Sequence, residues 1–176
     1  MQKGLELRTN LTHRGATGYD PKLGDGAGLL MQMPDAFMRK EAAKLNINLP
    51  EAGQYAVGNV FLPQMAKSRA ACEALITEII AEENQTFLGW RDVPVDNSNI
   101  AQAARDVEPT MRQVIIASTS ADQNIFERKL FVIRKRIEHA VSALNLKDNA
   151  AFYIPSLSIH TIVYKGICLA NEVGIS

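Results

Sequence analysis

The sequence predicts a domain of mixed helices and strands. Two observations carry that expectation. Short apolar runs, bounded by Gly, Pro, Asn and Asp, have the length and composition of buried strands. Longer segments repeat apolar residues every three or four positions, the mark of a helix that buries one face. Helices and strands follow one another in mixed order, so α+β and α/β stay open on pattern alone. A hydrophobic fraction of 47% and a charged fraction of 22% are those of a packed globule, not a disordered chain. A length of 176 residues corresponds to about one domain.

The elements are expected in the following order. Residues 3–12 read as the end of a helix with Leu5 and Leu11 apolar, and residues 13–28 as a glycine-rich loop. Ala27 to Met33 reads as a buried strand closed by Pro34. Asp35 is placed as the N-cap of a helix from Ala36 to Leu45, with Phe37, Met38 and Ala42 turned inward. Tyr55 to Leu62 is the second strand. From Met65 to Glu83, Cys72, Leu75, Ile76, Ile79 and Ile80 form a helical stripe. Thr86 to Val93, with Trp90, is the third strand, and Asn97 or Ser98 caps a short helix through Ala104. Met111 to Ser118 is the fourth strand. Asp122 caps a long helix to about Leu144, with Phe126, Leu130, Ile133, Ile137, Val141 and Leu144 as its apolar stripe. Two strands, Ala151 to Leu157 and Ile159 to Tyr164, follow.

Charge and cysteine content remove several classes of function. Lys plus Arg and Asp plus Glu are both 19, so no overall positive field draws the chain to nucleic acid. No run approaches the ~20 apolar residues of a membrane helix, and the N-terminus has no signal-peptide core. A cytoplasmic chain with no membrane and no nucleic-acid partner is expected. Cys72 and Cys168 form no C-x-x-C pair, and His13, His139 and His160 show no metal-ligand spacing, so no metal site is expected.

Three segments are weighed as sites. Gly24 to Gly28 (GDGAG) precedes a strand instead of linking a strand to a helix, and no Gly-Lys-Ser/Thr follows; a tight turn with positive φ at glycine explains it better than a nucleotide cradle. The stretch Phe126 to Glu138 holds five basic residues against Glu127 and Glu138, and reads as a solvated face with i,i+4 ion pairs such as Arg134 with Glu138. His13-Arg14-Gly15 reads either as a cationic helix end or as an arginine that grips a carboxylate.

Asn10 to Phe37, YAVGNVFLP (Tyr55 to Pro63), LGWRDVPVDNS (Leu88 to Ser98), FERKLFVIRKRIE and SLSIHTIVYKGI (Ser156 to Ile167), in this order, resemble the N-terminal class II glutamine amidotransferase domain of glutamate synthase large subunits. The resemblance implies an α+β fold, a partial αββα sandwich of the N-terminal-nucleophile hydrolase type, over residues 1–176 as a single partial domain. It implies a glutaminase that supplies ammonia for making glutamate from 2-oxoglutarate. In that family an N-terminal cysteine thiolate attacks the glutamine amide and its own α-amine, which titrates near ~8, is the base. Here residue 1 is Met1 and residue 2 is Gln2, and neither Cys72 nor Cys168 carries a free α-amine. The family's first strand is expected upstream of Lys3, and its glutamine-gripping and oxyanion-hole motifs after the YKG of residues 164–166. No catalytic residue is therefore carried over. Arg14 is carried over as a pocket-shaping, substrate-binding residue, and Asp25 as its loop's partner.

From the resemblance, the chain alone is expected to be inactive, with glutamine a ligand only of the complete domain and the rest of a glutamate synthase chain as partner. FMN and an iron–sulfur cluster are expected elsewhere in that enzyme and no cofactor in this segment. The alternative is a non-catalytic amidotransferase-like module that self-associates or binds a partner.

Overall fold

A computed structural model describes residues 27–98 and 102–166. The expected helix at 3–12 and the tail after Tyr164-Lys165-Gly166 lie outside them. Two compact units are present. The described part of the first comprises residues 27–31, 94–98, 102–108 and 163–166, and the second comprises residues 32–93 and 109–162.

In the first unit, most of β1 (Ala27–Gln32) and of β6 (Thr161–Gly166) pair as a two-stranded sheet. The short helix α3 (Gln102–Arg105) belongs here too. Gly28 does not owe its place to positive φ, as a tight turn would require. Its backbone lies against β6, where a Cβ would stand 3.1 Å from Lys165 Cγ and 3.3 Å from the Tyr164 carbonyl oxygen.

The second unit is built on an antiparallel sheet in the order β3 (Thr86–Asp92), β4 (Thr110–Ala117), β2 (Tyr55–Leu62), β5 (Tyr153–Ser158). Its helices are α1 (Asp35–Lys44), α2 (Ala66–Glu82) and α4 (Gln123–Ala143). α2 and α4 lie side by side, α2 near β3 and α4 against β5. The helical stripes read from the sequence are their buried faces: Cys72, Ile76, Ile79 and Ile80 from α2, and Phe126, Leu130, Ile133, Ile137 and Val141 from α4. They meet Ala56, Val60, Val114, Ile116 and Ile154 from one face of the sheet in a single apolar core. Burying each large side chain there contributes about 1.5–3 kcal/mol.

The helix ends follow local chemistry. Asp122 Oδ1 accepts from the backbone N–H of Asn124 (2.8 Å) and Ile125 (3.2 Å), the N-cap expected for α4. Each of the three long helices stops at an asparagine in the left-handed region: Asn46 (φ 57°), Asn84 (φ 56°) and Asn145 (φ 50°). After α1 and α2 the chain closes with Ile47 N–H donating to the Ala42 carbonyl (2.9 Å) and Gln85 N–H to the Ile80 carbonyl (3.0 Å).

Four expectations are corrected. Asp35 does not cap α1; Pro34 holds that position and the Asp35 carboxylate is taken by Arg39 and Tyr55. Phe37 is 43% exposed, because its ring lies beside the Arg91 guanidinium instead of entering the core. Leu144 is exposed, since α4 ends at Ala143 just before the chain reverses at Asn145. A 3-10 turn at Asn149–Ala151 delays β5 to Tyr153.

β3 carries a bulge that decides which way its side chains point. Phe87 pairs with Ile116 and Gly89 with Ile115, so Leu88 is the extra residue. Phe87 and Trp90, three apart in sequence, therefore share the helix-facing side, with rings 6.0 Å apart. Gly89 adopts φ +155°, and a Cβ there would stand 2.6 Å from Ile47 Cδ1. A Gly89→Ala variant is expected to lose about 1–3 kcal/mol of stability in urea unfolding; an unchanged midpoint would show that the bulge tolerates a side chain.

Candidate functional site

Arg14, the residue expected to shape the substrate pocket, and Asp25, expected to serve loop geometry, lie outside the described residues, as do His13 and Cys168. Cys72 is described. It is fully buried in the core, and burial, with Asp148 and Glu73 nearby, pushes its thiol up to about 11. A thiol kept protonated and away from solvent is a core residue, not a nucleophile. Among the described residues no three His, Cys, Asp or Glu side chains converge as metal ligands.

Four of the five basic residues in the α4 stretch, Lys129, Arg134, Lys135 and Arg136, meet acidic partners. Arg134 pairs with Glu138 at 2.9 Å, as the spacing requires, and Lys135 reaches the same carboxylate at 2.7 Å. Lys129 and Arg136 cross to Glu83, at the C-terminal cap of α2, at 2.6 and 2.8 Å, and Arg136 also meets Glu82. These pairs hold the Glu83 carboxyl below its ordinary range, Lys129 being the largest cause. Glu127 does something the sequence did not suggest. It accepts from the Ser158 hydroxyl (2.6 Å) and the Ile159 N–H (3.0 Å), tying α4 to the turn after β5.

The densest buried chemistry is on the other face of the sheet. Register places Arg91 opposite Gln113, Gln113 opposite Asn59, and Asn59 opposite Ser156, one residue from each of the four strands in a single row. All four are buried. Arg91 Nη1 donates to Gln113 Oε1 (3.1 Å), and Gln113 Nε2 donates to Asn59 Oδ1 (2.9 Å). At the β3 end, Arg91 Nε (3.2 Å) and Nη2 (2.8 Å) both donate to Glu41 Oε2 of α1. Lys44 also reaches Glu41, at 2.5 Å. Lys44 and then Arg91 bring the Glu41 carboxyl down to about 2.

Such a row holds charge without exchanging protons near neutrality. It orients groups and does not supply a general acid or base. Arg91 stood within the GWRDVPVDN match but was not singled out. The signal for the row is Gln113 at the head of the apolar run Val114-Ile115-Ile116, opposite the asparagine within YAVGNVFL.

The pH dependence follows from the sign of the Glu41 shift. Its folded-state pKa is depressed from 4.5 to about 2, so its stabilising effect is present above about 4.5 and is lost as pH falls from about 4.5 to about 2. A Glu41→Gln variant is expected to melt lower than the parent at pH 7 and to converge on it through that window. Melting curves that stay parallel from pH 7 to pH 2 would contradict this.

Comparison with known proteins places this architecture. The family model for class-II glutamine amidotransferases matches residues 1–175. The glutamate synthase [NADPH] large chain of Bacillus subtilis is 46% identical over 175 residues, covering 98% of this chain and 11% of that protein. The glutamate synthase [NADH] of Schizosaccharomyces pombe is 42% identical, covering 91% of this chain and 8% of that protein. The ferredoxin-dependent glutamate synthase of Pyropia yezoensis is 35% identical, covering 98% and 11%. The chain thus spans about a tenth of the length of these relatives. From its match across residues 1–175 and these relatives, the chain belongs to the class-II glutamine amidotransferase family, in the branch of the glutamate synthase large chains.

Proposed function

We propose that residues 1–176 act as one domain that scaffolds glutamine hydrolysis in a glutamate synthase, with the released ammonia used to make glutamate from 2-oxoglutarate. The observation that carries this is the family match over nearly the whole chain at up to 46% identity. The antiparallel four-stranded sheet with α2 and α4 on one face supports a further step: it is one αβ half of an αββα sandwich.

In the proposed reaction a cysteine thiolate adds to the glutamine side-chain carbonyl. The C–N bond breaks as the amide nitrogen takes a proton and leaves as ammonia. Water then cleaves the thioester to glutamate. Within this polypeptide Cys72 cannot take that role, being buried and protonated. The 176-residue polypeptide by itself is proposed to release no ammonia, and Arg14 to shape the glutamine pocket of the working domain. FMN and iron–sulfur chemistry are assigned to other parts of such an enzyme. Glutamine and the remainder of a glutamate synthase chain are the proposed partners, in the cytoplasm, with no nucleic acid. Among the described residues no helix is long and apolar enough to cross a membrane.

The test is a chimera in which residues 3–169 replace the matching segment of the Bacillus subtilis large chain. The chimera is expected to release ammonia from glutamine, and Arg14→Ala within it to reduce kcat/KM by roughly 10²-fold. A folded chimera without glutaminase activity would overturn the reading and favour a non-catalytic interaction module.

A further inference from the structure

Helix α4 has two faces of different character. At about 100° per residue, the side opposite the buried stripe of Phe126, Leu130, Ile133, Ile137 and Val141 carries Arg128, Val132, Lys135 and His139, with Phe131 and Ile125 at its borders. All six of these outer residues are exposed. Phe131 is 62% exposed, Ile125 44% and Val132 41%, and the Phe131 ring is the most exposed aromatic among the described residues. A single apolar side chain at a surface is ordinary, but three within two turns of one helix form a patch. They add nothing to the core, which α4 fills from its other side.

The charge presented with that patch has one sign. Glu127 and Glu138 are the acidic residues of α4. Glu127 is turned to the Ser158 hydroxyl and the Ile159 N–H. The Glu138 side chain is 26% exposed and is shared by Arg134 and Lys135, whereas Lys135 itself stands out at 49%. Arg128 has no ion pair among the described residues. An approaching surface therefore meets cations and apolar side chains before any carboxylate. A second copy of this chain is a poor occupant. A two-fold antiparallel crossing of α4 on itself, centred between Phe131 and Val132, sets Arg128 of one copy against Lys135 of the other. The complement is an apolar surface edged with Asp or Glu. Its source follows from length and layering. The chain covers 11% of the Bacillus subtilis large chain, so most of that relative lies outside the matched segment. In the proposed αββα sandwich the helix layers are outermost, so this side of α4 looks away from its own domain.

We propose that the outer face of α4 docks an acidic, apolar-anchored surface elsewhere in a glutamate synthase chain. Phe131 is the central anchor, Ile125 and Val132 widen it, and Arg128 and Lys135 fix its register by charge. The identity of the partner rests on the proposed reading of the chain as a domain of such an enzyme; the site rests on the exposed face itself.

The test is hydroxyl-radical footprinting of the chimera that carries residues 3–169 within the Bacillus subtilis large chain. The buried ring of Phe126 is the internal reference for a folded α4. Phe131 is expected to oxidise as slowly as Phe126. Arg128→Glu, at an exposed position, is expected to speed Phe131 oxidation about fivefold and leave Phe126 unchanged. Arg128→Lys keeps the charge and is expected to leave both rings unchanged. Phe131 oxidised as fast as in urea, indifference to Arg128→Glu, or protection lost on dilution, the mark of a second copy, would each overturn the proposal. Ammonia release is measured on the same samples. A protected Phe131 in an inactive chimera supports the docking and removes the glutaminase reading; an unprotected Phe131 in an active chimera does the reverse.

Discussion

Arg91 leaves the bulged edge strand with its side chain only 8% exposed, and each of its three nitrogens has a partner. Two donate to Glu41 of α1 and one to Gln113 of the neighbouring strand. A guanidinium withdrawn from water this far is tolerated only when it is paired and hydrogen-bonded. Much else in the second unit is consistent with that requirement. The bulge at Leu88 turns Trp90 to the helices and Arg91 to the opposite face. α1 is held where its carboxylate meets β3, and Phe37 is drawn out of the core to lie 5.3 Å from the guanidinium. Gln113 passes the chain of hydrogen bonds on to Asn59. The sheet is thus asymmetric: one face is aliphatic and packs α2 and α4, while the other carries a row of polar side chains through its centre.

That asymmetry fits the functional reading. A sheet whose two faces are both buried serves as a layer between other layers, which is what a sandwich demands. Among the described residues Cys72 is buried with its thiol protonated, and the Glu41 and Glu83 carboxylates are held in ion pairs. The match over residues 1–175 gives the family membership on which the proposed glutamine chemistry rests.

The elements that were legible in the sequence are those in which burial follows period. β2 runs from Tyr55 to Leu62 as its composition indicates, and the apolar stripe of α4 is its buried face through Val141. The departures have local causes. At Phe37 the guanidinium of Arg91, from a strand distant in sequence, competes with the core, and no periodicity records that. At Asp35 a favourable capping residue is claimed by Arg39 and Tyr55. The polar row was hidden for a different reason. Seven of the eight β2 residues are buried, so alternation did not distinguish its faces, and Asn59 looked like an isolated exception within an apolar strand. Only the registers of three strand pairs bring Arg91, Gln113, Asn59 and Ser156 into line. The expected pocket residue, Arg14, came from resemblance to a family, and its setting lies outside the described residues.

The most direct measurement of the central constraint is a double-mutant cycle on Glu41 and Arg91, read as urea midpoints at pH 7. Removing one partner strands a buried charge, whereas replacing both with apolar groups removes the need for pairing. Glu41→Leu alone is expected to lower the midpoint more than the combined Glu41→Leu/Arg91→Met change does. If the two single losses simply add, the pair does not organise the sheet and the account fails.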